Sequence, residues 1–265
     1  MPTVHEIESA LFVLAPRELA MDWDNVGLLL GDPAAEVTHV LLSLDVTDAA
    51  AAEAKEKGCQ LIVSHHPLMN VRWHQREMQT LRPDTRLGRL LTTLVKNDIA
   101  VISQHTNLDA APGGVNDALA ASLRLEDPGP LPGDESGICR VGTLKETMAP
   151  ADFAAFVGRA LSAGNVRWCG DRPVRRVAVG GGACGDFIPQ VLAAGCDTFV
   201  TSDLSYHQFL DAAGKGINLI DAGHFPTEDP VCEKVITYLT DRFPELAVSK
   251  SASHREVIQY YVEGE

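Results

Sequence analysis

Between residues 39 and 105 the chain alternates short, almost purely apolar runs with longer stretches in which apolar residues recur every three or four positions. The apolar runs "HVLLSLD" (39–45), "CQLIVSHH" (59–66) and "IAVISQH" (99–105) predict strands. "VTDAAAAEAKEKG" (46–58) and "DTRLGRLLTTLVKND" (84–98) predict helices. Strands alternating with helices argue for βαβ units and a mostly parallel sheet. The runs are continuously apolar, as strands covered on both faces require. Upstream, Thr3 with Glu6 fits a capping box for a first amphipathic helix. Downstream, "DPGPLPGDESG" (127–137) reads as a linker. After it come a strand in "ICRVGTLKE" and a helix carrying Phe153, Phe156, Val157, Ala160 and Leu161 on one face. "GNVRWCGDRP" (164–173) then reads as strand and loop.

The pattern next repeats itself. Displaced by 137 positions, "HVLLSLD" falls on "RVAVGGG", and "GCQLIVSHH" (58–66) falls on "GCDTFVTSD" (195–203). His65 lands on Ser202 and His66 on Asp203. Each second strand is followed by a helix and a third strand, "IAVISQH" and "INLIDAGH". Past the third strand, "HTNLD" carries His105 and Asp109, and "HFPTE" carries His224 and Glu228, both as His-x-x-x-carboxylate. We read an internal duplication. The expected fold is α/β: two related three-layer lobes from the duplication, facing each other. The first lobe is expected over 1–126, with the segment from about 224 to 265 as a candidate to pack onto it, and the second over 127–223.

Composition narrows the class. With 265 residues, 45% hydrophobic and 22% charged, the chain resembles an ordinary globular protein. No apolar run approaches the ~18 residues of a membrane span. The N-terminal stretch lacks the basic start and massed apolar run of a signal peptide, so a cytoplasmic protein is expected. A net charge of −14 argues against duplex nucleic acid, whose binding rests on phosphate neutralisation. The six cysteines form no C-x-x-C pair, and buried reduced thiols are the expectation.

In open α/β sheets ligands bind at the carboxyl ends of the strands. The polar residues of note fall there: Asp45, His65, His66, His105, Asp109, Asp203, His224 and Glu228. One strand-end histidine is more often structural, but four with several carboxylates at equivalent ends point to function. Imidazole with carboxylate suits Zn, Fe, Mn or Ni. Adjacent histidines on a regular strand point to opposite faces, so His65 and His66 could hold different ions, or one ion if the backbone turns at Pro67. Two metals ~3.5–4 Å apart suit hydrolysis. "GGGACG" (180–185), with Asp203 beyond it, comes close to a dinucleotide fingerprint. The repeat, however, places Asp203 at the edge shared with His66. A tight turn allowing close helix–strand approach is the better account of the glycines.

"WDNVGLLLGD" (23–32), "SHHPL" (64–68), "HTNLDAAPGGVND" (105–117) and "GHFPTE" (223–228) resemble, in order along the whole chain, the Nif-three-like dinuclear metal centre proteins, often named GTP cyclohydrolase I type 2 homologues. The resemblance implies two α/β lobes with two divalent metal ions per subunit between them, and a toroidal homohexamer. By motif, the implied ligands are His65, His66, Asp109, His224 and Glu228, with Asp109 and Glu228 as candidate bridges. "TSD" (201–203) stands where "TGD" is usual, and the large central insertion of some members is absent. Asp45, His105, Asp203 and His207 fall outside the implied ligands. They are candidates to orient ligand imidazoles or carry protons; a catalytic role is assigned to His105, His207 and Asp203. His5, His39, His74 and His254 read as solvated or structural.

Two functions follow. The first is a dinuclear metal-dependent hydrolase acting on a nucleotide, GTP by resemblance, through a metal-bound hydroxide. The alternative is a non-catalytic, ring-shaped metal-binding assembly protein acting as regulator, metal chaperone or adaptor.

Overall fold

The structure, a computed structural model, describes residues 1–69 and 81–261. His74 lies outside the described residues. The chain divides into two compact units: Met1–Ala111 with Cys232–Arg255, and Pro112–Val231 with the residues from Glu256 onward.

In the first unit, strands β1 (Gly27–Leu30), β2 (His39–Ser43), β3 (Leu61–Ser64) and β4 (Ala100–Ser103) form one sheet. β2, β3 and β4 run parallel in that order, and β1 pairs antiparallel with β4. The helices Asp48–Glu56 and Arg86–Lys96 connect the parallel strands, and Thr47 and Thr85 cap them by accepting from the N–H three residues on. At the N-terminus the Thr3–Glu6 capping box is present and opens the helix Val4–Leu14.

The second unit holds β5 (Glu126–Pro130), β6 (Arg140–Met148), β7 (Arg167–Cys169), β8 (Val174–Val179), β9 (Thr198–Thr201) and β10 (Asn218–Asp221). Their order is β5-β6-β8-β9-β10-β7, with β8, β9 and β10 parallel. β5 corrects the sequence reading of a linker at 127–137. Pro128 and Pro130 are accommodated because β5 is an edge strand, where a missing N–H costs no interior hydrogen bond. The chain then returns to the first unit, where β11 (Ala247–Lys250) pairs parallel with β2.

The repeat read from the sequence appears as topology. The Val40–Leu61 pair of β2 and β3 maps, under the same displacement, onto the Val177–Thr198 pair of β8 and β9. In each unit an antiparallel strand that precedes the trio caps its third member: β1 on β4, and β7 on β10. The sheets differ at the other edge, where β11 lies parallel to β2 but β6 lies antiparallel to β8.

Each unit has its own core. Leu41, Ile62, Leu94 and Val101 centre the first, and Phe153, Val157, Val177, Val200 and Ile220 centre the second. Fully burying one such side chain contributes about 1.5–3 kcal/mol, so each cluster can hold its sheet and helices together. Phe156 and Ala160 pack at the margin of the second core, completing the helical face read from the sequence. The six cysteines are free, and all but Cys169 are buried.

Candidate metal centre

In the first unit, β3 ends at Ser64 and the chain bends at His65 and His66, before Pro67. The bend comes two residues earlier than the sequence suggested, and it removes the opposite-face constraint of a regular strand. The two rings lie with centroids 4.9 Å apart. The His65 and His66 N–H groups still donate to the carbonyls of Ser43 and Leu44 at the end of β2, which pins the bend. His65 Nδ1 donates to the carbonyl of Gln104 at 2.8 Å, and His66 Nδ1 donates to Asp45 at 2.9 Å. His105, just beyond β4, donates Nδ1 to Asp24 at 2.9 Å. A carbonyl or carboxylate can only accept, so these partners fix the tautomer. Each ring is thereby oriented by its Nδ1 bond, as imidazoles that serve as ligands commonly are. His65, His66 and His105 each offer a ring nitrogen within 4.8 Å of the others. Asp109 lies in the short helix Thr106–Ala110, with Oδ1 3.6 Å from His65 Nε2.

The second unit repeats the device. His224 and Glu228 stand one helical turn apart in the helix His224–Glu228, with Nε2 and Oε1 3.2 Å apart. His224 Nδ1 donates to Asp203 at 2.7 Å, and Asp203 takes a left-handed φ of 55° at the end of β9. Burial lowers the pKa of His224, but the bonds to Asp203 and Glu228 outweigh it and raise the value to about 11. The bond from His224 also holds Asp203 below the usual carboxylate range.

The two His-x-x-x-acid segments are offset by one residue. His105 precedes its helix, as Gly223 does, whereas His224 is the first residue of its own. One residue rotates a helical side chain by ~100°. His224 therefore meets its own Glu228, while Asp109 meets His65.

Two donors ~2.1 Å from one ion at near-tetrahedral angles stand ~3.4 Å apart. The spacings of His65 with Asp109 and of His224 with Glu228 bracket that value. With Nε2 turned toward a carboxylate in both units, the residues present fit divalent cations.

The profile of the Duf34/NIF3 (NGG1p interacting factor 3) family matches residues 2–256. The chain belongs to the Duf34/NIF3 family. It is 36% identical over 259 residues to a Clostridium perfringens protein named GTP cyclohydrolase 1 type 2 homolog, covering 94% of this chain and 97% of that one. A Streptomyces coelicolor relative of the same name is 40% identical over 244 residues, covering 88% and 84%. Among solved structures, a Bacillus cereus protein related to NIF3 matches with a TM-score of 0.90 at 25% identity, covering 98% of this chain and 99% of that one.

In this Duf34/NIF3 chain the glycines of "GGGACG" form a turn that supports Glu228. Gly182 has a φ of 66°, and a Cβ there would stand 2.2 Å from Glu228 Oε1 and 3.2 Å from His224 Nε2. Its N–H donates to Thr227 Oγ1 at 3.0 Å, and the Gly181 N–H donates to Asn116 at 2.7 Å. The glycines thus let backbone approach the carboxylate directly.

Sequence reasoning missed two participants. Asp24 lies in "WDNVG", 81 positions from its partner His105, so nothing local marks its role. His254, read as solvated or structural, has a side chain only 8% exposed, with Nε2 3.2 Å from Asp45 Oδ2. No local signal marks it, because its partner lies 209 positions away. Burial works to raise the pKa of Asp45, but its bonds with His254 and His66 hold it well below the carboxylate range. His207 stands on the exposed side of the helix Tyr206–Lys215, its ring edge-on to Tyr206. His5 lies near Glu8, and His39 bonds Thr38, both on the surface. Among the described residues no helix is long and apolar enough to cross a membrane.

Proposed function

We propose that this chain is a dinuclear metal-dependent hydrolase, GTP cyclohydrolase I type 2-like, that acts on a nucleotide. Its ions are held by His65, His66 and Asp109 of the first unit and by His224 and Glu228 of the second. One observation carries the reading: all four strand-end imidazoles hold Nδ1 on a dedicated acceptor, the arrangement that orients a ligating imidazole. The names of the curated relatives support the substrate class. Bound divalent ions supply Lewis acidity and activate water. The chain's own residues orient the donors: Asp45 holds His66, Asp203 holds His224, and the Gly182 turn seats Glu228. Two ions per subunit, drawn from Zn, Fe, Mn or Ni, and a toroidal homohexamer complete the proposal.

The test is metal quantification after anaerobic repletion, with turnover of GTP and other nucleotides assayed before and after chelation. About two ions per chain are expected, with turnover that chelation removes and that His65→Ala or Glu228→Ala abolishes. Two bound ions without turnover on any nucleotide would replace the hydrolase by the assembly-protein reading. Fewer than one ion per chain would end the dinuclear reading.

A further inference from the structure

Asp24 is a carboxylate with a fully buried side chain, 0% exposed. Such burial costs several kcal/mol unless hydrogen bonds replace the lost water. Here they do. Asp24 accepts from His105 Nδ1 at 2.9 and 3.0 Å on its two oxygens, from the Thr106 N–H at 3.0 Å, and from the Thr106 hydroxyl. The Thr106 hydroxyl accepts in turn from the Met21 N–H at 2.9 Å, and the Asn25 N–H donates to Asp24 Oδ1 at 2.8 Å. The segment before β1 and the start of the helix Thr106–Ala110 are thus tied to one anion, and that anion holds one imidazole.

The held ring faces the donors already described. Its centroid lies 5.2 Å from that of His65 and 5.7 Å from that of His66. The Nδ1 atoms of all three rings are engaged, by Gln104, Asp45 and Asp24 respectively. Their Nε2 atoms therefore form the clustered set. Their ring nitrogens lie within 4.8 Å of one another, a grouping of imidazole donors that suits Zn, Fe or Co. A merely structural His105 would need the Asp24 bond but no such neighbours.

We infer that His105 is a metal ligand, the third imidazole on the ion held by the first unit, and that Asp24 is its positioning residue. The inference rests on the metal reading above and adds a ligand to it.

Titration of the chelator-stripped full chain with Co2+ tests it, by competition affinity and by the cobalt d–d spectrum. His105→Ala is expected to weaken Co2+ by at least about tenfold and to alter the spectrum. Asp24→Asn is expected to weaken Co2+ by about 10–100-fold, with the spectrum shifted. Asp24→Glu should recover part of that loss, which a purely structural role would not predict. If His105→Ala and His105→Gln keep wild-type affinity and spectrum while His65→Ala loses the ion, His105 is not a ligand and the dinuclear reading stands. If the wild-type chain binds no ion, both readings fall. Should His105→Ala fail to fold, 15N NMR of the wild-type chain gives the same answer. Zn2+ should move the His105 Nε2 resonance as it moves that of His65, and an unmoved resonance overturns the inference.

Discussion

In the first unit, β2, β3 and β4 lead into Asp45, the His65–His66 pair and His105. In the second, β8, β9 and β10 lead into Gly182, the Ser202–Asp203 pair, and Gly223 with His224. Register and strand order are shared, yet the chemistry at matching positions is not. Where the first unit has a ligand candidate, His66, the second has Asp203, a carboxylate that orients His224. Where the first has Asp45, orienting His66, the second has a glycine that leaves room for Glu228. The backbone of the core therefore requires none of these side chains, and each is best explained by what it does for its neighbours. The units also differ in closure. Glu53 of the first, 8% exposed, accepts from Ser251, Ala252 and Ser253 and so binds the returning segment after β11. That segment delivers His254 to Asp45.

The strongest way to break this comparison is Gly182→Ala. The left-handed backbone and the collision with Glu228 should together cost about 2–4 kcal/mol, displace Glu228 from His224 and lower the metal content. Denaturant unfolding and metal content check both effects. A stable, metal-replete variant would show that the glycine is not there to make room.

Glu53→Gln comes next, with an expected loss of about 2 kcal/mol, since charged acceptors contribute more than neutral ones. Burial pushes the Glu53 pKa upward, but Lys57, Ser251, Ala252 and Ser253 hold it well below its ordinary 4.5. A depressed folded-state pKa means the stabilisation is complete above about 4.5 and is lost as pH falls below it. Unfolding midpoints against pH should therefore fall on the acid side in the wild-type chain and fall less in the variant.

Asp45→Asn and Asp203→Asn sharpen the idea that two differently placed carboxylates do one job. Each should weaken metal binding by about 10–100-fold with little change in folding, measured by competition with a chelator. Unequal losses would show that the roles differ. His254→Gln should give the smallest loss, below that of Asp45→Asn, because it acts on His66 through Asp45.

Much of the fold was legible because buried parallel strands write themselves as continuous apolar runs, and β2, β3, β4, β8, β9 and β10 do so. The Pro/Gly-rich stretch misled because edge position, which makes Pro128 and Pro130 tolerable, is a property of the assembled sheet. The four strand-end histidines were visible as strand ends. The one-residue offset between "HTNLD" and "HFPTE" was not, since both read as His-x-x-x-acid and only the helix start separates them. Asp24 and His254 were hidden because their partners are distant along the chain.

By itself, the sequence determined the strand and helix segments, the repeated core and the donor types, because periodicity and residue chemistry are local properties. Tertiary structure decided which nitrogen of each imidazole is held, that the chain bends at His65 rather than Pro67, and that Gly182 seats a carboxylate. Those outcomes depend on hydrogen bonds and close approaches between residues distant in sequence, and only the folded chain brings them within 3 Å or so of each other.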